Sequence, residues 1–143
     1  MKNNRQRNLT RILFAVYFLI LLWILLFKMS FSLDELYKSR SINLIPFMGS
    51  VVVNGRIYIN EIIDNILVFI PLGIYICMLK EDWSILRKIS VGFFISLGIE
   101  VLQFILAIGA TDITDLIGNT LGGIIGIGVF IYFQNYSKIK LIV

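Results

Sequence analysis

Glu100 and Gln103 lie in a run that is otherwise almost wholly apolar, and Asp112, Asp115 and Asn119 follow close behind. A charge at the centre of a bilayer costs about 2.5–3.5 kcal/mol on insertion scales, so an ionisable group there marks a task. Carboxylates in such a place can move protons, accept hydrogen bonds, or hold a hard cation through oxygen. Desolvation penalises the charged form of a carboxylate, which makes Glu100 the candidate catalytic acid or base. Asp112 and Asp115 are the candidate metal ligands, and a divalent cation such as Mg2+ or Ca2+ is the one cofactor suggested; no spacing here is specific to a metal. Either aspartate would also suit the start of a helix, where a carboxylate meets unpaired amides. A cap needs only one of them.

Helical spacing gathers these groups. Gly92, Ser96, Glu100, Gln103 and Ala107 recur at three and four residues, which makes one polar, small-residue face. Asp112, Asp115, Asn119, Gly122, Gly123 and Gly126 share a face on a second helix. Glu61, Asp64 and Asn65 occupy the first turns of a third. At the helical rise, Glu100 lies roughly 13 Å from the outer end of its span, Gln103 and Asn119 about 9 Å, and Asn65 about 6 Å. The expectation is a polar funnel, open on one side of the membrane and closed near Glu100.

The elements that must position these residues are membrane spans. The chain has 143 residues, 58% hydrophobic and 15% charged, with a mean hydropathy of +0.89. Soluble domains carry about 25% charged residues. Four spans are predicted: Leu9 to Phe27, about Ile62 to Leu79, about Ile89 to Ile108, and about Ile113 to Phe133. The Ile12 to Phe27 run is longer than a secretory h-region of about 7–15 residues, so the first span is expected to remain. The absence of histidine excludes His-based catalysis and His metal sites. The single cysteine, Cys77, reads as a small core side chain. Pro71 should bend the second span and free the carbonyl of Leu67. Gly118, Gly122 and Gly126 suit close helix approach and are expected to press span four against span three. Tyr17, Trp23, Tyr132 and Tyr136 suit packing or interfacial anchoring.

Nine of the basic residues fall beside the N-terminus, the loop after span two and the C-terminal tail; four fall on the other side. The positive-inside rule then places both termini in the cytoplasm. The expected fold is all-α: an integral membrane four-helix bundle in a single domain, 1–143, with a partly structured outer loop between helices 1 and 2. Within that loop Ser41 to Phe47 is too short to span and should lie at the interface or dip back against the bundle. Val51 to Ile59 reads as a hairpin around Asn54-Gly55.

The segments Arg40-Ser41-Ile42-Asn43-Leu44-Ile45-Pro46-Phe47 and Ile63-Asp64-Asn65 through Pro71-Leu72-Gly73 are followed by Glu100-x-x-Gln103. Gly109-Ala110-Thr111-Asp112-Ile113-Thr114-Asp115 and Asn119-Thr120-x-Gly122-Gly123 complete the series. In order, spacing and span context this resembles the VanZ family of small bacterial membrane proteins, named from glycopeptide-resistance clusters. The resemblance covers about Ala15 to Tyr132. It implies a place in the bacterial cytoplasmic membrane and tolerance of teicoplanin-type lipoglycopeptides, and it supplies no reaction. It adds Arg40 and Asn43 to the candidate ligand-binding set of Asp64, Asn65, Glu100, Gln103, Asp112, Asp115 and Asn119. Many family members carry an arginine three residues before the first aspartate. Gly109 stands there in this chain, so if the family's arginine pairs with an aspartate, that charge is left open here or filled from Arg40 or Arg56.

Three readings remain open. The first is a module binding a lipid, a lipid-linked envelope precursor or a lipoglycopeptide in the outward funnel. The second is a membrane-embedded enzyme acting on a lipid-linked envelope substrate, with Glu100 as acid or base and a metal on the aspartates. The third is a scaffold using the glycine face. Membrane lipids are the expected partners and nucleic acid is not, because the basic residues flank membrane segments. Glu100→Gln separates the readings: it keeps shape and hydrogen bonding but removes titration. Under acid–base chemistry the variant accumulates normally in the membrane and loses drug tolerance; full retention of tolerance counts against that chemistry.

Overall fold

The structure, a computed structural model, describes residues 4–27, 40–47, 52–53, 56–57 and 59–140. Four helices run through it: α1 (Asn4–Phe27), α2 (Asn60–Leu79), α3 (Ile85–Leu106) and α4 (Ile113–Lys140). Each is long and apolar enough to cross a membrane. They contain the first, second and fourth predicted spans and most of the third. The third begins before the expected Ile89 because Ser84 caps it, its side chain accepting from the Arg87 amide at 3.3 Å. It ends before Ile108 because Ala107 takes the left-handed conformation, at φ 55°.

The strongest contact is between α2 and α4. This corrects the expectation that the glycine repeat presses span four against span three. A Cβ on Gly122 would land on the Ile66 carbonyl, and one on Gly126 on the Ile70 carbonyl. In return, a Cβ on Gly73 of α2 would land on the Gly123 carbonyl. The two backbones therefore meet directly, with glycine on both sides. Dispersion and close approach drive such contacts where apolar lipid removes the usual hydrophobic gain.

Helix α1 closes over this pair with one stripe. Phe14, Tyr17, Phe18, Leu22 and Leu25 flank the buried Leu21, which packs with Phe69, Leu72, Ile76 and Ile99. Leu9, Ile12, Leu13, Val16, Leu19 and Ile20 are exposed on the rest of α1, as suits lipid contact. Tyr17 does more than the expected packing. Its ring stacks on Tyr75 at 5.5 Å, and its hydroxyl donates to the Val68 carbonyl at 2.6 Å. Helix α2 continues through Pro71, which withholds the amide that Leu67 would bond. The Tyr17 bond serves the next carbonyl along.

The connections hold short ladders. Strand β1 (Arg40–Asn43) pairs in parallel with β4 (Gly109–Asp112), with Arg40 opposite Gly109 and Asn43 opposite Asp112. Ser41 to Phe47 therefore returns to the bundle, and the connection between α3 and α4 is a strand. Strands β2 (Val52–Val53) and β3 (Arg56–Ile57) pair antiparallel as the hairpin requires. The expected turn at Asn54-Gly55 lies outside the described residues.

Gly126→Ala should force α2 and α4 apart, at a cost of about 1–3 kcal/mol typical of overpacking. Gly128 has no heavy atom within 4 Å of its would-be Cβ, so Gly128→Ala should be silent. Thermal unfolding of the two variants in the same detergent checks the contrast: a lower midpoint for the first and no change for the second.

Candidate functional site

The polar residues gather where α4 begins. Asp112 precedes its first helical residue and caps it: Oδ1 accepts from the Thr114 amide at 2.7 Å. Its Oδ2 accepts from Asn43 Nδ2 at 2.9 Å, so the cap also anchors β1. Asn43 turns its own Oδ1 to the Ile45 amide at 3.1 Å. The Phe47 amide donates to Thr114 Oγ1 at 3.0 Å, holding Phe47 at φ 63°. From α3, Glu100 Oε2 accepts from the Asp112 amide at 3.1 Å, and the Glu100 carbonyl accepts from Thr111 Oγ1 at 3.1 Å. Glu100 is 3% exposed and Asp112 4%. Together they tie α3, β4, β1 and α4 into one knot. Thr111 and Thr114 complete it; their nearness to Asp112 in the motif was the available signal.

The other candidates are distributed among separate partners. Asn65 of α2 donates through Nδ2 to Asp115 Oδ1 at 2.7 Å. Gln103 of α3 donates through Nε2 to the Leu25 carbonyl at 2.8 Å. That carbonyl lies in the last turn of α1, where no helical amide remains to serve it. Asn119 donates to Ser96 Oγ at 2.9 Å and is 1% exposed. Arg40 contributes its backbone to β1; pairing of the Arg40 or Arg56 side chain with an aspartate lies outside what the structure describes.

A cavity of about 490 Å³ opens between α1, α2, α3 and α4. Asp64, Asn65, Gln103 and Asp115 line it, joined by Glu61, which stands one turn before Asn65. Ile24, Leu25, Leu67 and Val68 form its apolar wall. Glu100, Asp112, Asn43 and Asn119 are not among the residues lining it. The single funnel expected across three helices thus resolves into a lined cavity and a separate knot beside it. The two candidate metal ligands fall on different sides of that division. Among the described residues, no group of three or more His, Cys, Asp or Glu side chains is placed to hold a metal ion.

Four apolar helices, cross-linked by polar pairs around a mostly apolar cavity, define a multi-pass membrane protein. The chain belongs to the VanZ/LLP1 family, whose model it matches over residues 14–134. It is 40% identical over 124 residues to Protein VanZ of Enterococcus faecium, an alignment covering 85% of this chain and 73% of that protein. No solved structure matches it.

Asp112→Ala should strand the buried Thr114 amide, at a cost of about 1–3 kcal/mol, and remove the half-buried bond from Asn43. Asn43→Ala should destabilise less. A double-mutant cycle read by thermal unfolding should give a coupling of about 0.5–3 kcal/mol between the two residues. Strict additivity would show that the bond carries no stability.

Proposed function

We propose that this chain is a VanZ-like resistance protein of the bacterial cytoplasmic membrane, which lowers susceptibility to teicoplanin and related lipoglycopeptides by binding a lipid or lipid-linked head group. The carrying observation is the cavity of about 490 Å³, with an apolar wall on Leu25, Leu67 and Val68 and a polar wall on Glu61, Asp64, Asn65, Gln103 and Asp115. A small-molecule site of this kind is concave, mostly apolar and oriented by a few polar groups. An amphiphile fits that division: its chain lies along the apolar wall and its head group meets the carboxylates and amides. The balance of basic residues supports a topology with both termini cytoplasmic. The cavity mouth, near the start of α2, then faces outward, where envelope precursors and drug meet.

Expression in a susceptible bacterium should raise the teicoplanin inhibitory concentration several-fold over an empty vector. Leu67→Trp fills the cavity without removing a polar group and should return susceptibility to the vector level at equal membrane abundance. Retained resistance in Leu67→Trp sinks the cavity as the site of action. In a Cys77→Ser background, Glu61→Cys should react with an impermeant maleimide added to intact cells. Labelling that requires permeabilised cells overturns the outward placement.

A further inference from the structure

Basic side chains gather at the end of the bundle opposite the cavity mouth. Phe14 and Tyr17 of α1 both meet Tyr75 of α2, so the start of α1 lies beside the end of α2. A cleft of about 30 Å³ opens there, lined by Arg7, Thr10, Arg11, Met78 and Leu79. Arg7, Thr10 and Arg11 stand three and four residues apart, so they share one face of α1. Thr10 spends its hydroxyl proton on the Gln6 carbonyl at 3.0 Å. The donors left to the cleft are the two guanidinium groups, and both arginines are exposed. Among the described residues no carboxylate lines it. Outside the cleft, the Trp83 ring centre lies 5.0 Å from Lys80 Nζ and 5.7 Å from the Arg87 guanidinium. Glu81 and Asp82 are the acids of that turn. The cleft also has a defined depth. Arg11 is the last charged residue before the apolar run Ile12 to Phe27, and Leu9, Ile12, Leu13 and Val16 around it are exposed. This is the boundary between span and water, the level at which lipid head groups lie.

We infer that this cleft seats the phosphate of an anionic phospholipid, as a lipid site separate from the cavity. Neither reading depends on the other, and this one holds whichever side of the membrane that end faces. The volume is too small for an organic ligand and is enough for the oxygens of one phosphate group. Arginine presents planar pairs of N–H donors that match phosphate oxygens. Arg7 and Arg11, like charges four residues apart, repel each other until an anion lies between them. Met78 and Leu79 give the cleft an apolar wall, and Ile12, Leu13 and Val16 continue from it along the span, where acyl chains lie. A free phosphate would use the guanidinium groups and gain nothing from that surface. A zwitterionic lipid carries the same phosphate, but its own cation would stand beside Arg7 and Arg11. A lipid with net negative charge keeps the attraction and avoids that repulsion.

The test uses the full chain in a mild detergent, titrated with phosphatidylglycerol or phosphatidylcholine of identical acyl chains, with bound lipids counted by native mass spectrometry. The first phosphatidylglycerol should bind about tenfold tighter than the first phosphatidylcholine. Arg7→Gln with Arg11→Gln should abolish that preference. Arg5→Gln with Arg87→Gln removes as much charge at the same end but outside the cleft, and should keep it. All four arginines are exposed, so both variants should unfold at the native midpoint. Excess inorganic phosphate should leave the bound lipid in place. Equal affinity for the two lipids overturns the site. An equal loss of preference in the two variants also overturns it, because the charge of the whole end then acts and the cleft does not. Displacement by inorganic phosphate overturns a lipid as the occupant.

Discussion

Backbone-to-backbone packing of α2 on α4 is the constraint that the rest of the structure depends on. Gly122 and Gly126 let α4 reach the carbonyls of Ile66 and Ile70, and Gly73 lets α2 reach that of Gly123. At these points backbone meets backbone, which limits how the two helices can slide past one another. That setting brings Asn65 beside Asp115, with Gly118 leaving room for the Asn65 Cβ. In lipid, where apolar side chains gain little by leaving their surroundings, shape at this contact decides which helices pair.

A second constraint acts on the backbone between the spans. Backbone amides and carbonyls that are buried must find hydrogen-bond partners. The segment from Gly109 to Asp112 meets that need by pairing with β1, and Glu100 reaches from α3 to serve the Asp112 amide. The carboxylate of Asp112 then caps α4 and holds Asn43. Glu100 and Asp112, the most conspicuous acids in the chain, act here as fasteners. Their arrangement keeps the return of the α1–α2 connection against the bundle, next to the cavity but outside its lining.

Residues that line the cavity also bond the helices to one another. Interhelical hydrogen bonds in membrane proteins average only about 0.6 kcal/mol, so their larger consequence is orientation. Gln103 turns its amide nitrogen to the Leu25 carbonyl near the end of α1, and its oxygen is buried. Asn65 and Asp115 join the two helices at the mouth. These bonds tie the helices together around the cavity.

Residue types and spacing alone determined four spans, the polar faces on α3 and α4, a cap on α4 from one of two aspartates and the hairpin strands, because each follows from local periodicity or turn chemistry. The family motif was legible for the same reason: it is a pattern in sequence. Partner choice was not. A glycine ladder states that some backbone comes close without naming it, and only the assembled bundle shows that α2, and not α3, receives it. The strand character of Gly109 to Asp112 was equally hidden, since a parallel ladder depends on β1 far away in the chain. Periodicity aligned Asp112, Asp115 and Asn119 on one face, yet tertiary contacts sent them to Asn43, Asn65 and Ser96. A helix face spans a wide arc, and three neighbouring elements meet α4 within it.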